Sequence, residues 1–397
     1  MNPNCPNPRF PGMILGGDLG GTKTLLALAD ADGRIVRSRR YVSADYADFG
    51  DLLGDFLVGE RGIAAACFGI AGPTDGQTAK LTYLPWQLSA ADLGRRYGIA
   101  QVRLVNDFAA AAHGLPQVAP EHLVTVQAGQ PDAAAPRLIL GAGTGLGVAG
   151  LLPENDGVSA FSAQAHPLFP SPLAGEGAPA GRERGKPPLS PGSSPAREEG
   201  GEKHCTPSEE CVHLNQNRFR VVPGEGGHFG FAPQTPEQGE LWRWLLAQHG
   251  RVTTEDIVSG PGLAHIYAFL GGQSAKPATT SEATPETIGE IILRSDNDNA
   301  YDARASALAH SALQLWLSCL GAFAGDLALH WLARGGVYLA GGVIARLLPH
   351  VDHAPLVTAF RAKREHADLM PAMPLYVVTD HELGLRGALV LASASCR

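Results

Sequence analysis

The stretch GGDLGGTKT, Gly16 to Thr24, sets one carboxylate, Asp18, just ahead of a glycine turn that ends on Lys23 and Thr24. Glycines in such a turn let the backbone approach closely and aim its N–H groups at phosphate oxygens. The trailing Lys-Thr invites comparison with a P-loop, but the spacing does not fit. That loop needs Gly, four residues, Gly and then Lys at once. From Gly16 the second Gly is Gly21 and the next residue is Thr22; from Gly17 the frame places Thr22 where Gly belongs. The flanks disagree too. Met13 to Leu15 leads in, Leu25 to Ala29 leads out, and Asp30 to Gly33, with the Asp-Gly pair of a tight turn, precedes another strand from Ile35 to Val42. A hairpin, not the start of a helix, presents these glycines.

A second glycine turn occurs in LILGAGTGLGVAGLL, Leu138 to Leu152. It fails the dinucleotide pattern, with Leu146 and Val148 where the third Gly is required. It too lies between apolar, strand-like runs. Two Gly-Thr hairpins facing each other across a cleft could clasp a polyphosphate with backbone N–H groups. Between them, VRLVNDFAAAAHGL runs from an apolar strand through Asn106-Asp107 into an Ala-rich helix. Both residues are natural helix caps, and a carboxylate there also stands where open α/β sheets place their sites. Downstream, VVPGEGGHFGFAP displays Glu225 and His228 on a Gly-rich loop suited to ligand contact. Glu255 lies in TTEDIVSGPGL beside expected helix starts at Thr254 and Ser259, where a first-turn carboxylate suits the helix dipole. In GGVYLAGGVIARLLP, a strand runs into Gly341-Gly342 and a helix. That glycine pair leaves room for a flat base or ribose against the backbone.

These residues need elements to hold them. The chain has 397 residues, more than one hydrophobic core usually supports, so two domains are expected. Net charge is -8, with no basic cluster to mark a nucleic-acid face. Six scattered cysteines, Cys5, Cys67, Cys205, Cys211, Cys319 and Cys396, read as reduced thiols in the cytoplasm. The proline-rich stretch 1–12 lacks the apolar core of a signal peptide and reads as a disordered tail. Ala305 to Gly325 carries no Asp, Glu, Lys or Arg, but it holds Ser306, His310, Ser311, Gln314 and Ser318 and lacks a basic flank. It reads as a helix buried between layers rather than a membrane span.

The texture changes between about residues 155 and 218. Of the 31 residues from 171 to 201, 13 are Gly or Pro and only Leu173 and Leu189 are large and apolar. Such a segment cannot bury enough surface to offset its ordering entropy. It reads as a floppy insert in a hairpin whose strands run from Leu138 to Leu152 and from Phe219 to Val222. His204, Cys205, Cys211 and His213 sit in it, but a Cys pair separated by five residues does not match zinc spacing.

In this order, the motifs resemble the bacterial glucokinase family, within the hexokinase–actin–Hsp70 group of ATPases. DLGGTKT is similar to the group's first phosphate motif, GAGTGLG to its second and LAGG to its adenosine motif. VNDF, PGEGGH and the Glu of TTEDIVSGPG are similar to the glucokinase sugar site. The resemblance implies an α/β, two-domain actin-like (ribonuclease H-like) fold with a cleft between the domains. The smaller domain would span 13–112 plus 381–397, through a helix from Leu383 to Ala394, and the larger 113–380. It implies that Asp107 takes the proton from the sugar 6-hydroxyl, while Asn106, Glu225, His228 and Glu255 hold other hydroxyls. Gly17, Asp18, Gly20, Gly21 and Thr22 would surround the ATP phosphates, with Asp18 addressing Mg2+ through water. Thr144 and Gly145 would approach from the opposite side, and Gly341 and Gly342 would lie by the adenosine. A homodimer acting on glucose and ATP is implied, with neither nucleic acid nor membrane as partner. The chemistry suits these types: carboxylates, an amide and an imidazole hold a neutral polyol in fixed directions. Alternatives are another hexose, another phosphoryl donor, or a non-catalytic sugar sensor, the last having no need of Asp107. Tyr83 departs from the family pattern, which has Asn at that place before Trp86. The chain lacks the zinc cluster and leading helix-turn-helix of the related repressor–kinase branch, which argues against a DNA-binding regulator.

Overall fold

The computed structural model describes residues 12–82, 84–154, 219–272, 284–294 and 303–396. The first hairpin forms as its turn signals require. Strands β1 (Met13–Leu19) and β2 (Lys23–Ala29) pair antiparallel around the glycine turn, and β3 (Ile35–Val42) adds beyond the Asp-Gly turn. Helix α1 (Phe49–Phe56) leads to β4 (Ile63–Ile70), parallel to β1 on its other side. A short hairpin of β5 (Thr78–Lys80) and β6 (Gln87–Ser89) precedes α2 (Ala90–Tyr97). Ser89 caps α2 by accepting the Asp92 N–H, and left-handed Gly98 ends it. Strand β7 (Gln101–Asn106) lies parallel to β4 and runs directly into α3 (Asp107–Gly114). The sheet order is β3-β2-β1-β4-β7.

The second sheet repeats this arrangement. Strand β8 (Leu123–Gln127) comes first in the chain but joins the far edge. Strands β9 (Arg137–Ala142), β10 (Leu146–Pro153) and β11 (Phe219–Gly224) form an antiparallel meander. The expected pairing of Leu152 with the 219–222 segment is therefore present, as Leu152 opposite Arg220. Helices α4 (Pro236–His249), α5 (Gly260–Leu270), α6 (Pro285–Arg294) and α7 (Ala303–Trp331) follow. Then β12 (Val337–Ala340), with all four residues buried, enters parallel to β9. After α8 (Gly342–Leu347) and α9 (Ala354–Arg361), β13 (Leu375–Val378) lies parallel to β12. The order β11-β10-β9-β12-β13-β8 matches the first sheet in its first five strands.

Helix α10 (Leu383–Ser395) returns to the first sheet, where its Leu385, Ala388 and Leu389 pack on Ile14, Ala27 and Cys67. Gly16 permits this contact: a Cβ there would lie 2.7 Å from the Leu389 side chain. The opposite face is covered by Phe49, Leu52, Phe56 and Trp86. The second sheet packs against α7, a 29-residue helix with Trp316, Leu320 and Ala324 fully buried. Among the described residues α7 is the only helix long and apolar enough to cross a membrane, yet 78% of its most apolar window is buried within the protein. The described residues form one compact unit that holds both sheets. Residues 1–11 of the tail expected at 1–12, Tyr83, Arg397 and the expected insert at 155–218, with His204, Cys205, Cys211 and His213, lie outside the described residues. Among the described residues, Cys67, Cys319 and Cys396 are free thiols, and no cluster of three or more His, Cys, Asp or Glu is arranged for a metal.

Candidate active site

The ends of β1, β4 and β7 converge on one spot. Asp18 pairs in register with Gly69 of β4, and Gly69 pairs with Val105 of β7. Gly69 carries no side chain, so α3 can start close above it. A Cβ there would sit 3.4 Å from the Asp107 Cα and 3.1 Å from the Ala110 Cβ. Two carboxylates, Asp18 and Asp107, are thereby brought within electrostatic reach of each other.

The two natural caps divide their work. Asn106 does the capping: its side-chain oxygen accepts the Phe108 N–H at 2.9 Å and the Ala109 N–H at 3.1 Å. Its side chain also hydrogen-bonds the Asp107 carboxylate, which lowers the Asp107 pKa. Asp107 opens α3 and faces a cavity of about 720 Å³, with its Oδ1 accepting the same Phe108 N–H at 2.8 Å. Burial raises the Asp107 pKa, the backbone hydrogen bonds oppose this, and Glu225 adds to the rise. Asp18 retains some exposure to the cavity but is closely ringed by protein. Burial first, then the charge of Asp107, pushes its pKa up to about 6, against a smaller lowering by Arg40. Two carboxylates with raised pKa values at one cavity call for a cation or a proton.

Both hairpins reach this place, by different means. The first turn closes with Gly20 N–H to the Lys23 carbonyl at 3.0 Å. Ser43 braces it, donating its hydroxyl to the Gly20 carbonyl at 3.0 Å and its N–H to the Thr22 carbonyl at 3.0 Å. The second turn closes with Gly143 N–H to the Gly145 carbonyl at 2.9 Å. It is held from outside: Glu255 Oε2 accepts the Leu146 N–H at 2.7 Å, and Gly260 N–H donates to the Gly143 carbonyl at 2.7 Å. A helix start at Ser259 is present, its side chain accepting the Gly262 N–H, but none occurs at Thr254. Glu255 lies in an irregular turn instead of a first helical turn, because its N–H is drawn to the Gly227 carbonyl at 2.9 Å. Gly341 has φ of 98°, and a Cβ there would run into the Ala142 carbonyl, so only glycine fits beneath the second hairpin.

The cavity lining gathers Asp18, Asn106, Asp107, Thr144, Gly145, Glu225, Glu255, Gly341 and Gly342 from segments far apart in the chain. Five expected residues are not in that lining. Gly17 is turned to the first core, where a Cβ would meet Phe68 and Leu26. Gly20, Gly21 and Thr22 form the turn itself, with Thr22 exposed. His228 is exposed, its Nε2 3.8 Å from Glu225 Oε2 in a tight turn over Gly226–His228. Sequence reasoning missed Phe108, Asp380, His381 and Gly384, which also belong to the lining. Asp380 accepts the Glu382 N–H at 2.8 Å and pairs with Arg386 at 2.8 Å, fixing the start of α10 beside Asp18. Its signal was its place just ahead of the apolar helix expected from Leu383.

Known proteins resemble this arrangement. The glucokinase family profile matches residues 15–171 and 210–395, breaking within the Gly/Pro-rich stretch. A curated glucokinase from Nostoc sp. is 30% identical over 402 residues, covering 96% of this chain and 99% of the relative. The crystal structure of a glucokinase from an Antarctic psychrotroph superposes with TM-score 0.65 at 24% identity, covering 96% of this chain and 99% of that one. A Balamuthia mandrillaris glucokinase in complex with glucose gives TM-score 0.67 at 19% identity, covering 96% and 93%.

Proposed function

This chain belongs to the glucokinase family of ATP-dependent hexose kinases, and from that premise we propose that it transfers the γ-phosphoryl group of ATP to the 6-hydroxyl of glucose, giving glucose 6-phosphate and ADP. The observation that carries this reading is Asp107, a carboxylate of raised pKa at a strand end, facing a cavity lined by the second glycine hairpin and by Asp18 of the first. Asp107 orients the hydroxyl and accepts its proton late in the transfer. The Phe108 N–H holds the oxygen that stays behind. The Asn106 amide, Glu225 and Glu255 hold other hydroxyls, and cleft closure brings His228 in from the rim and excludes water.

Gly20 shapes the first turn, and the backbone N–H groups of Gly21 and Thr22, with Thr144 and Gly145 opposite, address the phosphates. Gly341 and Gly342 make a bare shelf for the adenosine. Asp18 suits Mg2+, which keeps several waters and takes one or two carboxylates alongside phosphate oxygens. An oxygen donor with raised pKa and, among the described residues, no cationic side chain bonded to it fits that ion better than it fits a bare phosphate. When bound, the ion neutralises charge on the phosphates.

We further propose domain boundaries at 13–112 with 381–397 and at 113–380. We propose a cytoplasmic homodimer with glucose and ATP as its small-molecule partners and neither nucleic acid nor membrane. A net charge of -8 and the buried α7 support the last two. The test is ADP release measured with glucose, fructose, mannose and N-acetylglucosamine, each with and without Mg2+. Glucose should give the highest kcat/KM. Absence of sugar-dependent ADP release overturns the kinase reading, and preference for another sugar overturns the glucose assignment.

A further inference from the structure

Gly141 and Gly147 face each other in register across the β9–β10 hairpin. Together they leave a patch of that hairpin without side chains, and the Phe108 ring fills it. A Cβ on Gly141 would overlap the ring edge, and one on Gly147 would overlap Cγ and lie 2.6 and 2.7 Å from Cδ2 and Cδ1. Phe108 comes from α3, at the end of the first sheet, so its ring is a knob seated in the second hairpin. Its backbone does something else. The Phe108 N–H is shared between Asn106 Oδ1 at 2.9 Å and Asp107 Oδ1 at 2.8 Å. One residue thus grips the phosphate hairpin with its ring and the carboxylate of Asp107 with its amide.

We propose that Phe108 is a positioning residue, tying the Asp107 carboxylate to the second glycine hairpin so that the hydroxyl and the γ-phosphoryl group are aligned as a pair. The inference rests on Asp107 being the base. Its physical content is that the hairpin and the carboxylate cannot shift independently while the ring stays seated between the two glycines. Phosphoryl transfer depends on alignment more than on covalent help, and a displacement of about 1 Å costs roughly 100-fold.

The test uses the full chain in three variants: Phe108→Leu, Gly141→Ala and the double substitution. Gly141→Ala sets a methyl against the ring edge, pushes the ring out and should lower kcat roughly 100-fold. Phe108→Leu loosens the seat and should lower kcat about tenfold, with KM for ATP raised and KM for glucose held within about twofold. The lower limb of its kcat–pH profile should move, since the Asp107 hydrogen bond is no longer held in place. In the double variant Leu lacks the Cε2 and Cζ atoms that the new methyl would meet, so kcat should recover about tenfold over Gly141→Ala alone. A purely structural role would lower the active fraction and leave both KM values and the pH profile unchanged. That result in Phe108→Leu, or a double variant no better than Gly141→Ala, overturns the proposal. Asp107→Ala serves as the control: if it stays active, the assignment of the base fails, whereas a dead Asp107→Ala with a normal Phe108→Leu profile overturns only the positioning role.

Discussion

The two glycine hairpins occupy equivalent places in their sheets, each joining the first two strands of a three-strand meander. They differ at the residue pair just before the last. In the first hairpin that pair is Asp18 opposite Leu25; in the second it is Gly141 opposite Gly147. One brings a charge to the cavity and the other brings empty space, which Phe108 fills. Their anchors differ as well. Ser43, from the end of the same meander, braces the first turn, while Glu255, Gly260 and Phe108 hold the second from three other places in the chain. Similar turns on similar sheets are thus built unlike: one is a locally braced mount for the Asp18 carboxylate, and the other is a joint held by residues far from it in the chain.

The largest effect should come from the residue between the hairpins. Asp107→Ala is expected to lower kcat by roughly 10²–10⁴-fold, with glucose still binding in a titration by tryptophan fluorescence or calorimetry. Near-normal turnover would break the comparison, because neither hairpin would then be serving a base at Asp107.

Next is Asp18→Asn. The Mg-ATP kcat/KM should fall by about 100-fold, a loss of some 3 kcal/mol of transition-state stabilisation. The same change should stabilise the ligand-free protein. The folded-state pKa of about 6 lies above the model-peptide value of 3.8. The folded state therefore holds the proton more tightly, and the benefit present below pH 4 is lost as pH rises through 6. Ionised Asp18 then opposes folding by at most about 3 kcal/mol, less after allowance for its partial exposure. Thermal melts should show Asp18→Asn above wild type at pH 8 and level with it at pH 4. A lower melting temperature at pH 8 would remove the charge contrast between the hairpins. In wild type, KM for Mg-ATP should climb as pH drops below 6.

Glu255 sharpens the anchor contrast. Glu255→Gln keeps an oxygen for the Leu146 N–H and should raise mainly the KM for glucose, by about tenfold. Glu255→Ala also frees the hairpin and should raise the KM for ATP comparably. Equal effects of both substitutions on the two KM values would mean that Glu255 does not join the sites. The smallest change is expected for Lys23→Ala, whose exposed side chain lies beyond the first turn. It should alter kcat/KM by no more than about twofold, and a tenfold loss would return Lys23 to a phosphate role.

Both hairpins, the strand-to-helix junction at Asn106-Asp107 and the buried character of α7 were legible in the sequence. Each depends on neighbours in the chain: the Asp-Gly turn at 32–33, the apolar runs that flank the glycines, and a 21-residue stretch free of Asp, Glu, Lys and Arg. The Glu255 turn was not legible. Thr254 looked like a cap, but the Thr254 and Glu255 N–H groups are drawn to the carbonyls of Phe229 and Gly227. Gly17 read as a phosphate residue, and its neighbours Phe68 and Leu26 give it a packing reason to be glycine. Phe108 passed as an ordinary helix residue, since nothing within ten positions of it reveals its partners.

By itself, then, the sequence determined which turns form, which carboxylates stand at strand ends and which family the motifs resemble, because turns, caps and alternating burial are local in the chain. Only the tertiary structure decided how the hairpins are joined to the chemistry. Glu255 and Leu146 are 109 residues apart, and the Phe108 seat on Gly141 and Gly147 exists only once the two sheets have been brought together. A hydrogen bond or a packed ring across such distances depends on where separate elements come to rest, which no short stretch of sequence specifies.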